Sequence, residues 1–223
     1  MNTIAFIPVR GGSKSIPMKN IRPFCGHPLV YWTARAANDA QCVDSVIIAS
    51  DSRDILRTAE SFGMKKVRLY ERDPANAQDS SSTESVMLEY IHAAGLNDDD
   101  VFILVQATSP LTQSHDIDGA MMLFREGGYD SLLTCSRTKR FFWEQDGRPI
   151  NYDFMNRPRR QDFAGTLMEN GAFYISTVKA IRESECRLSG KIAVYEMPEY
   201  CGIELDEPSD WALAEEFMHR HSK

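Results

Sequence analysis

Residues 10–20 have the sequence RGGSKSIPMKN and hold almost no hydrophobic side chains, although an apolar segment precedes them. Gly11 and Gly12 let the backbone turn tightly and approach a ligand, and the two serines add hydroxyl donors. One arginine and two lysines bring positive charge. A loop of this composition binds phosphate or is a solvated connector, since loops are polar by default. We expect a phosphate cradle. The residues that would form it include Arg10, Ser13, Lys14 and Lys19.

Two carboxylates stand one residue apart in the segment GIELDEPSDW, at Glu204 and Asp206. We expect them at the end of a strand, where alternation puts both side chains on the same side. Carboxylates so close repel each other unless a cation lies between them, and Mg²⁺ is often bound by carboxylates together with phosphate oxygens. A solvated acidic turn is the alternative. The loop at 10–20 favours the metal site, because a polyphosphate cradle needs a counter-cation, and we expect the loop and Asp206 to share a cavity.

The segment QATSPL follows the apolar run VFILV and places Gln106 at the expected carboxyl edge of a sheet. A polar amide at that edge is positioned to meet a substrate. The alternative is a helix N-cap at Thr108 or Ser109, since these residue types often begin helices. The polar segment RDPANAQDSSST, at 72–83, has the same kind of alternative, a plain surface loop.

Several familiar catalytic patterns do not occur in the sequence. It has neither a G-x-x-x-x-G-K-[ST] run nor a G-x-G-x-x-G run, which argues against a P-loop NTPase and an ordinary dinucleotide-binding dehydrogenase. The five histidines show no metal-ligand spacing. Without a G-x-S-x-G elbow, or a cysteine that the sequence pairs with a histidine, covalent nucleophilic catalysis has little support.

Short apolar runs alternate with segments of helical periodicity through most of the chain. The runs TIAFIPV, DSVIIAS, KKVRLY, DVFILVQ and DSLLTCS predict strands, and the segments between them, which include 114–126, predict helices. This alternation indicates right-handed βαβ units and therefore an α/β fold, with a three-layer, Rossmann-like, mostly parallel sheet. Ligands of such sheets bind beyond the carboxyl ends of the strands.

The alternation breaks at residues 137–163, which are rich in charged, aromatic and turn residues and show no apolar stripe. Aromatic side chains mixed with arginines are typical of a partner-facing surface, so we expect an interaction arm rather than a flexible linker. The segments GAFYIS, KIAVYEM and PSDWALAEEFMHRH then predict two strands and a terminal helix. We therefore predict a single domain over 1–223 that carries an inserted arm.

The bulk composition is that of a folded globular chain, since 43% of the 223 residues are apolar and 26% are charged. A net charge of −7 provides no general basic field, which argues against nucleic acid and anionic membranes as partners. Five cysteines without a C-x-x-C pair indicate neither a disulfide framework nor a zinc site. With no secretory or membrane-spanning segment in the sequence, we expect a cytoplasmic protein.

Five segments of the chain resemble a known family. In order and spacing, RGGSKSIPMKN, DSSST, QATSPL, RPRRQDFAGTLMENGAFYI and IELDEPSDW are similar to the cytidylyltransferases that activate sialic acids, the CMP-N-acylneuraminate synthetases. The resemblance covers essentially the whole chain. The stretches RPRRQDF, ENGAFYI and GKIAVYEM look closer to the catalytic domain of the vertebrate enzyme than to the usual bacterial pattern.

The resemblance implies roles for individual residues. The triphosphate would be held by Arg10, Ser13, Lys14 and Lys19. The cytidine would be held or framed by Asn20, Arg72, Ser81 and Thr83. The sugar acid would be contacted by Gln106 and, from the arm of a partner subunit, by Arg159 and Gln161.

The metal site carries one departure from the family. Asp206 would bind Mg²⁺ and Glu204 would assist it, but the family usually has Asp at the position of Glu204, so direct metal contact by this longer side chain stays open. Thr112 stands where bacterial members have an arginine, and we assign it no role.

The reaction that the resemblance implies is transfer of CMP from CTP to the anomeric 2-hydroxyl of a nonulosonic acid, either N-acetylneuraminate or KDN, with release of pyrophosphate. Arg10, Lys19 and Asp206 would carry the catalysis. The implied assembly is a homodimer that exchanges its arms, or a tetramer. Two alternatives stay open: a cytidylyltransferase for another sugar acid such as 3-deoxy-manno-octulosonate, and a non-catalytic nucleotide-binding module whose arm docks a protein.

Overall fold

The structure, a computed structural model, describes residues 1–12, 16–76 and 81–221. Its main sheet has seven strands in the order β5-β4-β1-β6-β8-β7-β9. These are β1 Thr3–Pro8, β4 Ser45–Ser50, β5 Val67–Glu71, β6 Val101–Val105, β7 Ser131–Thr138, β8 Thr166–Thr177 and β9 Ile192–Met197. A separate small hairpin consists of β2 Pro23–Phe24 and β3 His27–Pro28.

The helices are α1 Leu29–Asp39, α2 Arg53–Glu60, α3 Thr83–Ala93, α4 Ser114–Glu126, α5 Val178–Ser184 and α6 Pro208–His221. The predicted α/β class is confirmed, and α4 has the predicted bounds. Across the described ranges, no helix is long and apolar enough to cross a membrane.

The sheet is mostly parallel, as predicted. The pairs β1–β4, β1–β6, β4–β5 and β7–β9 run parallel, whereas β8 runs antiparallel to both β6 and β7. The segment between β7 and β8 contains no helix. Since a parallel return usually needs a helical crossover, β8 instead enters the sheet in the opposite direction. In the sheet, β8 lies between β6 and β7.

Strand alternation produces three layers. On β1, Ala5 and Ile7 belong to one apolar cluster, which is shared with α1, α2, α4 and α6, whereas Ile4 and Phe6 belong to a second cluster, which is shared with α3 and α5. Successive strand residues point to opposite faces, so buried positions on both faces require helices on both sides. These four residues of β1 are each at most 3% exposed, and they lie at the centre of the sheet.

The chain changes direction across the sheet at β1, whose neighbours are β4 on one side and β6 on the other. In open α/β sheets this switch point leaves a crevice at the carboxyl ends of the strands. The loop after β1 begins there with Val9, whose N–H donates to Ala49 O over 2.9 Å. Asp51 follows β4 and Gln106 follows β6 at the same edge. The fold thus gathers three polar segments where a ligand would bind.

Residues 139–165 connect β7 to β8 and form the arm. Apart from one isolated bridge between Trp143 and Pro149, they contain no strand or helix. A small aromatic cluster holds them together: the Phe141 ring lies 4.2 Å from that of Tyr152, measured between centroids, and the Arg157 guanidinium lies 4.5 Å from the centroid of Phe141. The arm is therefore ordered by its own contacts. Its bounds, 139–165, lie two residues further along the chain than the predicted 137–163.

Candidate active site

The polar loop after β1 is tied to the end of β4 and to its own distal part. The N–H of Gly11 donates to Asp51 Oδ1 over 3.0 Å. The amide of Asn20 donates to the carbonyl oxygen of Arg10 over 3.1 Å, and Asn20 is buried. The two ends of the loop are thereby fixed to the sheet. Of the residues predicted to bind phosphate, Ser13 and Lys14 lie outside the described residues.

Lys19 brings this loop to the carboxylate segment. It begins a 3₁₀ turn, Lys19–Ile21, that follows Met18 in the left-handed conformation. Its ammonium group donates to Leu205 O over 2.8 Å and to Asp206 Oδ1 over 3.2 Å. The Lys19 side chain is 11% exposed, whereas that of Asp206 is 65% exposed. The loop and Asp206 therefore meet at one place, with a largely buried cation between them.

The carboxylate segment is not the strand end that the sequence predicted. After the 3₁₀ turn Glu199–Gly202, residues 203–206 have no regular secondary structure. The N–H of Leu205 donates to Thr108 O over 3.1 Å. The carboxylate of Asp210 accepts the N–H of Asp206 and that of Glu207, over 3.2 and 2.8 Å. These backbone N–H groups donate to one carbonyl group and one side chain, not to a neighbouring strand. The segment therefore forms no strand, and the predicted strand end was wrong.

Glu204 packs against Gly171 of β8. Gly171 has φ +63°, and a Cβ atom there would collide with Glu204 Oε1 and lie 3.9 Å from Gln106 Nε2. Glycine is thus required both by the backbone and by the space. The side chains of Glu204 and Gln106 consequently lie around the same point of β8, as the predicted sharing of one site demands.

The pKa of Glu204 is raised, first by burial and then by the negative charges of Asp206 and Glu169, with Lys19 acting in the opposite direction. The residue is exposed by its accessible surface. The Glu204 carboxylate therefore contacts water on one side and protein on the others. Nearby like charges disfavour ionisation at any degree of burial, so they add to the effect of the surrounding protein. The accumulated negative charge is what a bound cation would relieve.

Within 1–12, 16–76 and 81–221, no group of three or more His, Cys, Asp or Glu side chains is arranged to hold a metal ion. A site with two protein carboxylates differs from such a group, because Mg²⁺ usually takes one or two carboxylates and completes its shell with phosphate oxygens and water. Glu204 and Asp206 therefore fit a magnesium ion that arrives with a nucleotide. They do not fit a metal held by protein ligands alone.

Arg72 lies at the other side of the β1 loop. It is buried, and the described residues offer its Nε no hydrogen-bond partner. Its Nη2 donates to Asn76 O. Burial lowers the pKa of Arg72, the nearby charges of Asp51 and Glu89 oppose this effect, and the charge of Arg10 adds to it. Two guanidinium groups within electrostatic reach of each other repel, and a bound anion would relieve that repulsion.

The first turn of α3 adjoins Arg72 through Asn76. The hydroxyl of Ser85 donates to Asn76 Oδ1 over 2.6 Å. Ser82 is the N-cap of α3 and accepts the N–H of Ser85 over 3.1 Å, so the helix starts as its serine-rich sequence predicts. The predicted residues Ser81 and Thr83 flank this cap. The structure thus places the start of α3, where Ser81 and Thr83 lie, next to Arg72 through Ser85 and Asn76.

Gln106 leaves the sheet at the end of β6, and its N–H donates to Ala172 O over 3.0 Å. The alternative of a helix N-cap at Thr108 or Ser109 is wrong, because α4 begins at Ser114 with a capping box of Gln113 and Asp116. Residues 106–112 form turns instead.

Arg159 and Gln161 are exposed on the arm. The carbonyl of Arg159 accepts the N–H groups of Asp162 and Phe163, both over 3.0 Å. In the described part of this single chain, neither side chain forms a hydrogen bond or an ion pair. The structure therefore does not join these two predicted residues to the others.

The sequence analysis missed Glu169. The predicted strand GAFYIS starts after it, whereas β8 extends back to Thr166 and carries Glu169 opposite Cys135. Its charge acts on Glu204. The one usable signal was the Glu-Asn-Gly order, since a glycine after two polar residues in a strand often marks an irregularity that redirects side chains.

The seven-stranded sheet, with its switch point at β1 and polar segments gathered at one edge, defines a Rossmann-like α/β protein. Comparison with protein families gives the more specific assignment: the family model of the cytidylyltransferases matches residues 4–215. This chain belongs to the cytidylyltransferase family.

Individual relatives agree with this assignment. The chain is 40% identical to N-acylneuraminate cytidylyltransferase B of Danio rerio and 38% identical to N-acylneuraminate cytidylyltransferase of Oncorhynchus mykiss, each over 97% of this chain. It spans about half the length of these relatives, 51% and 50%. It is 27% identical to pseudaminic acid cytidylyltransferase of Campylobacter jejuni, over 96% of this chain and 95% of that one.

Solved structures share the fold. A CMP:2-keto-3-deoxy-manno-octonic acid synthetase in complex with CTP superposes with a TM-score of 0.71 at 17% identity, covering 99% of each chain. A 4-diphosphocytidyl-2C-methyl-D-erythritol synthase of Anaerococcus prevotii gives a TM-score of 0.66 at 16% identity, covering 98% of this chain and 96% of that one.

Proposed function

We propose that this protein transfers CMP from CTP to the anomeric 2-hydroxyl of a nonulosonic acid, N-acetylneuraminate or KDN, and releases pyrophosphate. The observation that carries the proposal is the contact of Lys19 with Asp206, which brings the anion-binding loop and the carboxylates to one edge of the sheet. Further support comes from the N-acylneuraminate cytidylyltransferases that are 36% to 40% identical to the chain.

In this reaction the hydroxyl oxygen forms a bond with the α-phosphorus of CTP while the bond to pyrophosphate breaks in line, and the hydroxyl proton passes to a base. CTP carries about four negative charges and the acid one more, so their approach costs several kcal/mol at an intermediate dielectric. Arg10 and Lys19 offset this repulsion and hold the charge of the departing pyrophosphate. Positioning the two reactants supplies much of the remaining acceleration.

We propose Mg²⁺ as the cofactor, held by Asp206 with help from Glu204. The proposal is supported by the raised pKa of Glu204, to which burial contributes most and the charge of Asp206 next. When bound, the ion would draw electron density from the phosphate oxygens and screen their charge. Lys19 orients the Asp206 carboxylate from the buried side and leaves its solvent side accessible.

We propose a cytoplasmic homodimer in which Arg159 and Gln161 reach the sugar acid bound by the partner, and tetramers are the alternative assembly. The arm supports a dimer because it exposes large apolar side chains: Trp143 is 47%, Phe154 54% and Met155 76% exposed. Contiguous apolar surface of this kind marks an interaction site. Five cysteines without a C-x-x-C pair favour a reducing compartment.

The test is an assay of pyrophosphate release by the purified chain with CTP, Mg²⁺ and a panel of sugar acids. N-acetylneuraminate and KDN should support turnover, and 3-deoxy-manno-octulosonate should support much less. Asp206→Ala serves as the inactive control. Turnover with 3-deoxy-manno-octulosonate alone would replace the substrate assignment, and CTP binding without product from any acid would favour the non-catalytic module.

A further inference from the structure

Glu169 lies beside the carboxylate pair without belonging to it. It stands on β8, two residues before the Gly171 against which Glu204 packs, and its side chain is exposed. Its negative charge reaches Glu204. No group of three potential ligands occurs in the described part of the chain, so Glu169 does not complete a metal shell with Glu204 and Asp206. Any ligand of Glu169 is therefore of a different kind.

The direction of this carboxylate is fixed by Tyr174, whose hydroxyl donates to Glu169 Oε1. Residues five apart in a regular strand point to opposite faces. Here the positive φ of Gly171 and the extra residues of β8 between Glu169 and Tyr174, which interrupt its register with β7, return both side chains to the same face. Burial and then the hydrogen bond to Glu169 raise the pKa of Tyr174, so its hydroxyl stays protonated and remains a donor.

Arg187 holds Tyr174 from the other side. Its guanidinium lies 5.1 Å from the centroid of the Tyr174 ring and donates through Nε to Glu84 Oε1 over 2.6 Å. The side chains of Arg187 and Glu84 are only 22% and 21% exposed. Glu84 follows Thr83 in the first turn of α3. A continuous series of contacts therefore connects the helix beside the nucleotide residues with Glu169, which rigid positioning requires.

The chemistry of Glu169 limits what it can bind. An ionised carboxylate only accepts hydrogen bonds, and it repels phosphates and the carboxylate of a sugar acid. The groups that suit it are the hydroxyl and amide N–H donors on the uncharged part of a polyhydroxylated sugar. Gln106 follows β6 and lies near Gly171, which is on the same strand as Glu169. Its amide can therefore bind the same part of a ligand.

We infer that Glu169 orients the sugar acid. It accepts a hydrogen bond from the uncharged part of the substrate and thereby turns the substrate carboxylate toward the cationic side at Lys19. Tyr174 and Arg187 are positioning residues that act through Glu169. The inference rests on the proposed function and adds to it a residue that decides which polyhydroxylated acids fit.

The test compares Michaelis constants for the two substrates. Glu169→Gln should raise the KM for the sugar acid about tenfold or more, the scale of a hydrogen bond to a charged group, and leave the KM for CTP unchanged. Tyr174→Phe should change the same constant in the same direction by less. Glu183→Gln, an exposed glutamate of α5, and Tyr195→Phe, a half-buried tyrosine of β9, are the matched controls and should leave both constants unchanged.

The outcomes separate this inference from the proposed function. If the wild type turns over and Glu169→Gln retains its KM for the sugar acid, or raises the KM for CTP equally, the orienting role is wrong and the proposed function stands. If calorimetry shows that the wild type binds no sugar acid and no turnover occurs, both fail. Urea unfolding of each variant identifies any loss that comes from folding alone.

Discussion

The ammonium group of Lys19 lies 3.2 Å from Asp206 Oδ1, although the two residues are 187 positions apart in the chain. The same ammonium donates to the carbonyl of Leu205, the residue between the two carboxylates. The cation is largely buried and the carboxylate is largely exposed. A buried partner therefore directs one carboxylate toward the open edge of the sheet.

Removing the Asp206 charge should abolish magnesium-dependent activity. Asp206→Asn keeps the shape of the side chain but loses the charge that attracts a cation and pairs with Lys19. The measurement is pyrophosphate release over a Mg²⁺ titration. Glu207→Gln, at the adjacent exposed position, is the control and should behave as the wild type. An Asp206→Asn enzyme that keeps its rate at low Mg²⁺ would contradict the assignment.

Arg10 should matter for turnover more than for folding. Arg10→Ala should lower kcat/KM about a hundredfold, the scale for losing one contact to developing charge. Steady-state kinetics with CTP measures the effect. Arg35→Ala on α1 is the control, because the Arg35 side chain is 55% exposed and pairs with Asp39 one turn away. Equal kinetics in the two variants would remove Arg10 from the mechanism.

Substitution of Gly171 tests whether its contact with Glu204 matters for activity. Gly171→Ala and Gly95→Ala both force alanine into a positive φ, which costs on the order of 1 kcal/mol or more. Only at Gly171 does the new Cβ collide with Glu204, since nothing lies within 4 Å of a Cβ at Gly95. Both variants should unfold at lower urea concentration, and Gly171→Ala alone should lose activity. Retained activity in a folded Gly171→Ala protein would show that Glu204 does not need this contact.

Asp100 should make folding stability depend on pH. It accepts the N–H of Asn2 over 2.6 Å and that of Asn97 over 2.9 Å. Burial raises its pKa, but these hydrogen bonds outweigh burial and leave the pKa below its ordinary 3.8. Because the pKa is depressed in the folded state, the stabilisation is present above about pH 4 and is lost as the pH falls through the folded pKa.

Urea unfolding at pH 7 and at pH 3 measures this contribution. Asp100→Asn should be less stable than the wild type by roughly 1 to 3 kcal/mol at pH 7, the range for hydrogen bonds to a charged group, and the difference should shrink at pH 3. Asp99→Asn, at the exposed neighbouring position, should show no such change. A deficit of Asp100→Asn that is the same at both pH values would contradict the linkage.

The arm should carry the proposed dimer. A charge at Met155, the most exposed large apolar residue of the arm, would have to be desolvated in an interface, so Met155→Glu should dissociate the dimer. Light scattering after gel filtration gives the mass. Met122→Glu, on α4 and 59% exposed, is the control for added charge outside the arm. A monomeric wild type, or a Met155→Glu protein that stays dimeric, would contradict the prediction.

The strands and helices of the sheet were predictable because their signals are local. The apolar run VFILV became β6, and the periodic segment at 114–126 became α4. The direction of β8 was not predictable, since it depends on how an arm without a helix returns the chain to the sheet. The prediction of a strand at Glu204 was wrong for a similar reason. Its neighbour Leu205 donates a hydrogen bond to Thr108, a residue remote in sequence.

Parts of the candidate site were also predictable. The composition of the first loop and the carboxylate pair led to the expectation that Lys19 and Asp206 share a cavity, and the structure places them in contact. Their roles remain predictions. The Glu-Asn-Gly order was the one sequence signal near Glu169, but its contact with Tyr174 was not predictable, because it depends on the local backbone at Gly171.

The strand that receives the arm also supports the carboxylate site. The chain passes from residue 165 directly into β8 and reaches Gly171 after about 17 Å of extended backbone, with no loop between. Over residues 166–169 this path is paired with β7, whereas the pairing with β6 begins at Phe173. A shift of the backbone at the base of the arm would therefore be carried along β8 to Gly171, against which Glu204 packs.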